Sequence, residues 1–224
     1  MHPAPVDSPP RPRHPRPAHA TAGLAALSAL LLIAVAVRWA PLMTLDGELA
    51  RTAHHWAVDD PGLTHVNRVL TDWFWDPWTM RALCAVVVIW LVWRHNAWWL
   101  AMWVAATCAV GTLIQQGLKA AVGRDRPVWT DPVDSAHYAA FPSGHAMTAT
   151  VVCGLTLWLL HRYGAGRVLW RTACALAVVS VVGVGLTRLW LGVHWPSDVL
   201  GGWLLGALTV TGSVTAYERL TASS

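Results

Sequence analysis

Six apolar runs, at about 21–39, 79–94, 97–118, 143–161, 169–190 and 197–216, alternate with short polar links along the chain. Each is close to the ~20 residues that a bilayer core requires. Their apolar residues fall in blocks rather than on one stripe, which marks spans and not the helices of a soluble core. The pattern predicts an all-α fold, an integral membrane bundle of about six transmembrane helices. The stretch 46–78 breaks the pattern. It carries the paired acids Asp59 and Asp60 among Trp56, Trp73, Phe74, Trp75 and Trp78. It reads as one or two amphipathic helices in the interface, with tryptophan at headgroup depth.

Composition agrees. Of 224 residues, 55% are hydrophobic and 12% charged, about half the charge a soluble domain needs to cover its surface. Residues 1–20, rich in Pro, Arg and His, cannot form a core and read as a disordered cytoplasmic tail. A six-span domain is expected over 21–217, with 46–78 external and 218–224 a short C-terminal tail. Arg11, Arg13 and Arg16, the Arg94-His95 link, and Arg162, Arg167 and Arg171 fall on one side of a six-span chain. By the positive-inside rule that side is the cytoplasm, with both termini inside the cell membrane. The first run also resembles a signal peptide, with Ala34-Val35-Ala36 as the cleavage site, but it is long for one.

Other residues carry little chemistry. Cys84, Cys108, Cys153 and Cys174 lie in apolar runs without CxxC spacing or His neighbours, and read as small buried hydrophobes. Sixteen tryptophans are the expected interfacial belts. Gly202 and Gly206 have the small-xxx-small spacing of helix packing. His54, His55, His65 and His137 show no recognisable spacing and read as solvated or interfacial polar residues. No nucleotide-binding glycine pattern, nucleic-acid module or repeat is present.

Three polar clusters fall together on the external face. Lys119, the only lysine, opens Lys-Ala-Ala-Val-Gly-Arg124-Asp-Arg126-Pro127. Pro142-Ser143-Gly144-His145 opens the fourth run. Thr187-Arg188 and His194-Trp-Pro-Ser-Asp198 lie between the fifth and sixth. An ionisable group costs ~2.5–3.5 kcal/mol at the centre of a span and less near its end, so such groups mark a site. Taken singly, each has a plain reading: Lys119, Arg124 and Arg126 as snorkelling anchors, Ser143 as a helix N-cap, His194 and Asp198 as a structural pair or an incomplete metal site. Together, Lys119, Arg126 and Arg188 make a cradle for an anionic headgroup. Ser143 and Gly144 open a helix whose free N–H groups and dipole bind anions. The two histidines suffice for a nucleophile and an acid, with one carboxylate to orient the nucleophile.

The clusters match in order the KxxxxxxRP, PSGH and (S/T)RxxxxxHxxxD motifs, and from Lys119 to Asp198 the chain resembles the type 2 phosphatidic acid phosphatase superfamily, in its membrane branch. The superfamily also contains vanadium haloperoxidases. Thr187 stands where that family more often has Ser. The resemblance implies a lipid phosphatase that needs no metal or other cofactor. His194 would attack phosphorus and form a phosphohistidine. Asp198 would hold the proton on the other ring nitrogen, and His145 would protonate the leaving oxygen and then activate water. Lys119, Arg126, Arg188 and the amides at Ser143 and Gly144 would hold the phosphate oxygens. Pro196 suits the first turn of the last helix, so the spacing of His194 and Asp198 is not simply one helical face.

The expected substrates are phosphatidic acid, phosphatidylglycerol phosphate or a polyprenyl diphosphate, cleaved at the outer leaflet, with membrane lipids as further partners and no nucleic acid. A phosphotransferase with an acceptor other than water uses the same histidine site. Six apolar runs argue against a soluble haloperoxidase, and a transporter needs no complete His-His-Asp set.

Overall fold

The computed structural model describes residues 17–223. Eight α-helices follow in order: α1 Pro17–Ala36, α2 Ala40–Asp59, α3 Pro61–Val69, α4 Pro77–His95, α5 Trp98–Val122, α6 Gly144–Arg162, α7 Arg167–Trp190 and α8 Pro196–Ala222. One π-helical turn, Leu70–Phe74, joins α3 to α4.

The local sequence explains where these helices begin and end. Asp60 accepts the Leu63 N–H at 2.9 Å ahead of Pro61, and Asp76 accepts the Trp78 N–H at 2.7 Å ahead of Pro77. A capping carboxylate before a proline at the first helical position is a strong start signal. At the other ends, Asn96 (φ 50°) and Gly123 (φ 57°) close α4 and α5 in the left-handed conformation.

Seven of the described helices are long, and only α3 is short. Five helical segments are long and apolar enough to cross a membrane: His19–Ala36, the run through α3 and α4 (Pro61–His95), α5, α7 and α8. The apolar run at 143–161 forms α6, which falls outside that set. It touches α4, α5, α7 and α8, so its two glycines, its threonines and His145 are partly shielded from lipid by other helices. Leu91, Leu100, Val104, Leu155 and Leu159 form the apolar core around it, with Tyr217 of α8. The chain is a multi-pass membrane protein.

The approach of α8 to α6 rests on two glycines. A Cβ on Gly202 would sit 2.7 Å from the Ser143 carbonyl oxygen, and one on Gly206 would sit 2.7 Å from Thr150 Cβ. The small-xxx-small spacing therefore serves packing inside the bundle. Exposed tryptophans gather at both ends: Trp39, Trp56, Trp73 and Trp78 at one, Trp93, Trp98 and Trp99 at the other. Cys84 and Cys108 bring their thiols to 3.1 Å between α4 and α5, and all four cysteines are free.

Some expected boundaries move. Residues 17–20, assigned to the N-terminal tail, form the first turn of α1, while residues 1–16 lie outside the described part. Helix α8 runs to Ala222, through most of the expected C-terminal tail. The helical segment expected from residue 46 begins at Ala40. Helix α1 lies against α8 as part of the bundle.

Candidate active site

All three polar clusters arrive at one end of the bundle. Lys119 lies in the last turn of α5, Ser143 and His145 open α6, Arg188 lies in the last turn of α7, and His194 and Asp198 flank the start of α8. Helices α5 and α7 end here and α6 and α8 begin here, so the four termini bring the clusters together. Lys119, Arg126, Gly144, His145, Arg188 and His194 line one cavity of about 640 Å³.

His194 is buried and held from both sides. Its Nδ1 lies 3.3 Å from Asp198 Oδ2, and its Nε2 lies 3.2 Å from Arg126 Nη1. A guanidinium only donates, so Nε2 must present its lone pair and the ring proton sits on Nδ1, facing the carboxylate. Burial, then the charges of Arg126, Arg188 and Lys119, push the His194 imidazole well below the ordinary histidine range. The ring is thus neutral, with its free lone pair on the nitrogen nearest the cations.

The four-residue spacing works through the helix cap. Trp195 is the N-cap of α8, and Asp198 Oδ2 accepts its backbone N–H at 2.9 Å. The same oxygen reaches His194, just outside the helix. The cap geometry, and not a shared helical face, brings the pair together.

Arg126 also donates to the carbonyls of Val193 at 2.5 Å, Tyr138 at 2.9 Å and His137 at 3.1 Å. Lys119 Nζ donates to the Ala139 carbonyl. The two cations therefore stitch the loop between α5 and α6 over the site. Arg188 Nη1 meets Thr71 Oγ1 at 3.3 Å and Asp134 at 4.0 Å, while its buried Nε has no partner.

The cradle differs in detail from expectation. The Ser143 N–H donates to the Asp198 carbonyl at 2.9 Å, which ties α6 to α8 and removes that amide from the anion-binding set. The Ser143 hydroxyl is buried without a hydrogen-bond partner. Gly144 lines the cavity, and its missing Cβ makes room for Gln115, whose Nε2 would be 2.7 Å from it. Thr187 directs its hydroxyl to the Val184 carbonyl at 2.8 Å, along its own helix.

The motifs did not reveal a second layer behind Asp198. Arg124 Nη1 donates to Asp198 Oδ1 at 2.6 Å and to Ser197 Oγ at 2.7 Å, and its Nη2 donates to Asp46 Oδ2 at 2.6 Å. Asp46, from α2, also accepts the Ser197 N–H at 2.9 Å and its hydroxyl at 2.5 Å. Arg124 is therefore no snorkelling anchor. The signal for Asp46 was faint: one of two neighbouring acids, four residues before Ala50 on the face that α2 buries through Ala50, His54 and Ala57.

His54, expected to be solvated, is buried in the same face. It stacks on Trp129 with ring centroids 4.1 Å apart and meets Asp131 at 3.1 Å. Trp129 in turn donates to the Gly192 carbonyl at 2.8 Å, two residues before His194. His55 is exposed beside Asp59, and His137 lines the cavity. Among the described residues no three His, Cys, Asp or Glu side chains are grouped to hold a metal ion.

The protein-family model that matches the chain is that of the PAP2 superfamily, over residues 100–222. The chain is 34% identical over 155 residues to a decaprenylphosphoryl-5-phosphoribose phosphatase of Mycobacterium tuberculosis, covering 67% of this chain and 78% of that one. It is 30% identical to a lipid A 1-phosphatase of Rhizobium etli over 54% of this chain and 52% of that protein. The chain thus spans about half the length of the Rhizobium relatives it matches. A transmembrane PAP2-type phosphatidylglycerolphosphate phosphatase from Bacillus subtilis shares the fold, with a TM-score of 0.79 and 23% identity, over 89% of this chain and 96% of that one. Because the family model covers more than half of the chain and takes in all three clusters, the chain belongs to the PAP2 superfamily.

Proposed function

We propose that the chain is a membrane lipid phosphatase that hydrolyses a lipid phosphate monoester or diphosphate through a phosphohistidine intermediate, without a metal. The observation that carries this reading is His194: buried, neutral, its Nδ1 proton facing Asp198 and its Nε2 lone pair facing Arg126, in one cavity with His145.

In the first step the Nε2 lone pair attacks phosphorus. The bond to the lipid-side oxygen breaks, and His145 gives that oxygen its proton. In the second step His145 takes a proton from water, the water oxygen attacks phosphorus, and the P–N bond breaks to release phosphate and free the imidazole. Asp198 fixes the tautomer and stabilises the positive imidazole, as the acid of a catalytic triad does. Arg126, resting against Nε2, passes to a phosphate oxygen as substrate enters. Lys119, Arg188 and the unbonded amides of Gly144 and His145 hold the other oxygens, with the Ser143 hydroxyl beside them.

The substrates are phosphatidic acid, phosphatidylglycerol phosphate or a polyprenyl diphosphate. The relatives' names support lipid-linked phosphates in general. The catalytic unit spans 21–217, and the end of the external segment forms the headgroup rim through Asp72, Asp76 and Trp78. Catalysis occurs on the external face of the cell membrane with both termini cytoplasmic. This orientation is supported by Arg94, Arg162, Arg167 and Arg171, which sit at the end of the bundle opposite the site.

The test is phosphate release by purified protein from a panel of these lipids in detergent. Vanadate should inhibit and chelators should not. Chelator-sensitive release overturns the metal-free mechanism, and transfer of the phosphate to a lipid acceptor instead of water makes the protein a phosphotransferase.

A further inference from the structure

The active-site cavity holds one guanidinium that no motif accounts for. Arg81 lies in the second turn of α4 and shares the cavity wall with Gln115 and Gln116 of α5. Among the described residues Arg81 forms no hydrogen bond and no ion pair, and its Nε is buried without a partner. Its one contact of note is the face of Trp78, 5.2 Å from the ring centroid.

The other charges of the wall are already engaged. Lys119, Arg126 and Arg188 each have oxygen partners. Asp76 caps α4 through the Trp78 N–H, and Asp134 faces Arg188. The cations that act on Asp72 are Arg188 and Arg68. No carboxylate claims Arg81. A half-buried cation without a counter-charge is costly, and a guanidinium in a cavity built for phosphate is suited to take an anion. Gln115 adds an amide with no protein partner, next to Gly144.

The position gives the polarity. Arg81 also borders a crevice between residues 108–112 of α5 and 147–152 of α6. Helix α6 starts at the catalytic end and runs away from it, so this crevice lies up to two turns deeper in the bundle than His145. Arg81 is on the membrane side of the cradle.

We propose that Arg81 and Gln115 form a second anion subsite, which holds a second phosphate on the lipid side of the one that is cleaved. The inference rests on the phosphatase reading above and narrows its substrate to a lipid with two phosphates. Both a lipid diphosphate and a lipid phosphodiester that carries a further phosphate have this chemistry.

The test is titration of purified His194→Ala protein with farnesyl diphosphate, farnesylphosphoryl-5-phosphoribose and farnesyl monophosphate. At least one two-phosphate ligand should bind tenfold or more tighter than the monophosphate, and Arg81→Gln should remove that advantage. Which of the two wins reports the spacing between the phosphates. Equal binding of all three ligands, or an equal loss for all three in Arg81→Gln, overturns the subsite. If Arg81→Gln does not fold, Arg81→Met, which also removes the charge, carries the same comparison. Phosphate release by the His194-intact protein separates the two readings. Preferential binding without release from any lipid keeps the subsite and overturns the phosphatase. Release with no two-phosphate preference does the reverse.

Discussion

At the scale of the residue, His194 shows how burial and two neighbours select one protonation state. Its depressed affinity for protons means that the proposed nucleophile stays unprotonated as pH falls through the ordinary histidine range. Once the substrate's own ionisation near pH ~6 is divided out, the acid limb of kcat/KM assigned to His194 should fall below about pH 6.5. A limb at or above that value would contradict the neutral, cation-flanked imidazole. Replacing His194 by Ala should reduce turnover by about 10³-fold or more while the protein still inserts, since removing a covalent nucleophile leaves only binding and electrostatic stabilisation. Full activity in that variant would end the mechanism. The meeting of His145, His194 and Asp198 at one end of the bundle was legible in the sequence because the motifs carry these residues at particular intervals. Asp46 was not, since a single acid 78 residues from Arg124 carries no spacing signal. The engaged Ser143 amide was equally hidden, because backbone hydrogen bonds leave no mark on residue type.

At the scale of the element, α2 and α8 deserve comparison. Helix α2 reaches the site through one ion pair, Asp46 with Arg124, in which both side chains are almost wholly buried. Breaking such a pair leaves an uncompensated charge and costs ~3–5 kcal/mol. Asp46→Ala should therefore lower the thermal stability of the detergent-solubilised protein by about that amount. The milder Asp46→Asn should lower kcat about tenfold with little change in KM, because it loosens Arg124 behind Asp198 without touching the cradle. A change in KM alone would assign Asp46 to substrate binding. Helix α8 acts by proximity. Gly202→Ala forces a methyl against the Ser143 carbonyl, so it should destabilise by ~1–3 kcal/mol and displace the start of α6. Gly212→Ala, ten residues along the same helix and with open space at its Cβ, is the control and should be near neutral. The existence of each long helix except α2 followed from apolar blocks about one bilayer long. Their ends shifted because a span's helix continues past its apolar run wherever caps allow, as α1 and α8 both do.

At the scale of the whole molecule, the site and the arginine-rich links occupy opposite ends, so sidedness is measurable. In a protein with its four native cysteines replaced, Tyr138→Cys should react with a membrane-impermeant thiol reagent in intact cells, and Arg94→Cys should not; the reverse pattern would invert the topology. Tyr138 is well suited, being 89% exposed in the loop over the site. The all-helical membrane bundle and the common address of the three clusters could be read from alternation of apolar and polar segments alone. The nearness of α2 could not, because an amphipathic stretch shows which face it buries but not the surface that receives it. That docking bears on what counts as a minimal unit. The region 100–222 contains every motif residue, yet Asp46, Thr71 and Asp72 come from outside it. A fragment trimmed to the matched region would preserve the signature letter for letter while cutting His194 and Asp198 off from the support behind Arg124. In this chain the recognisable sequence and the working assembly are two different lengths of polypeptide.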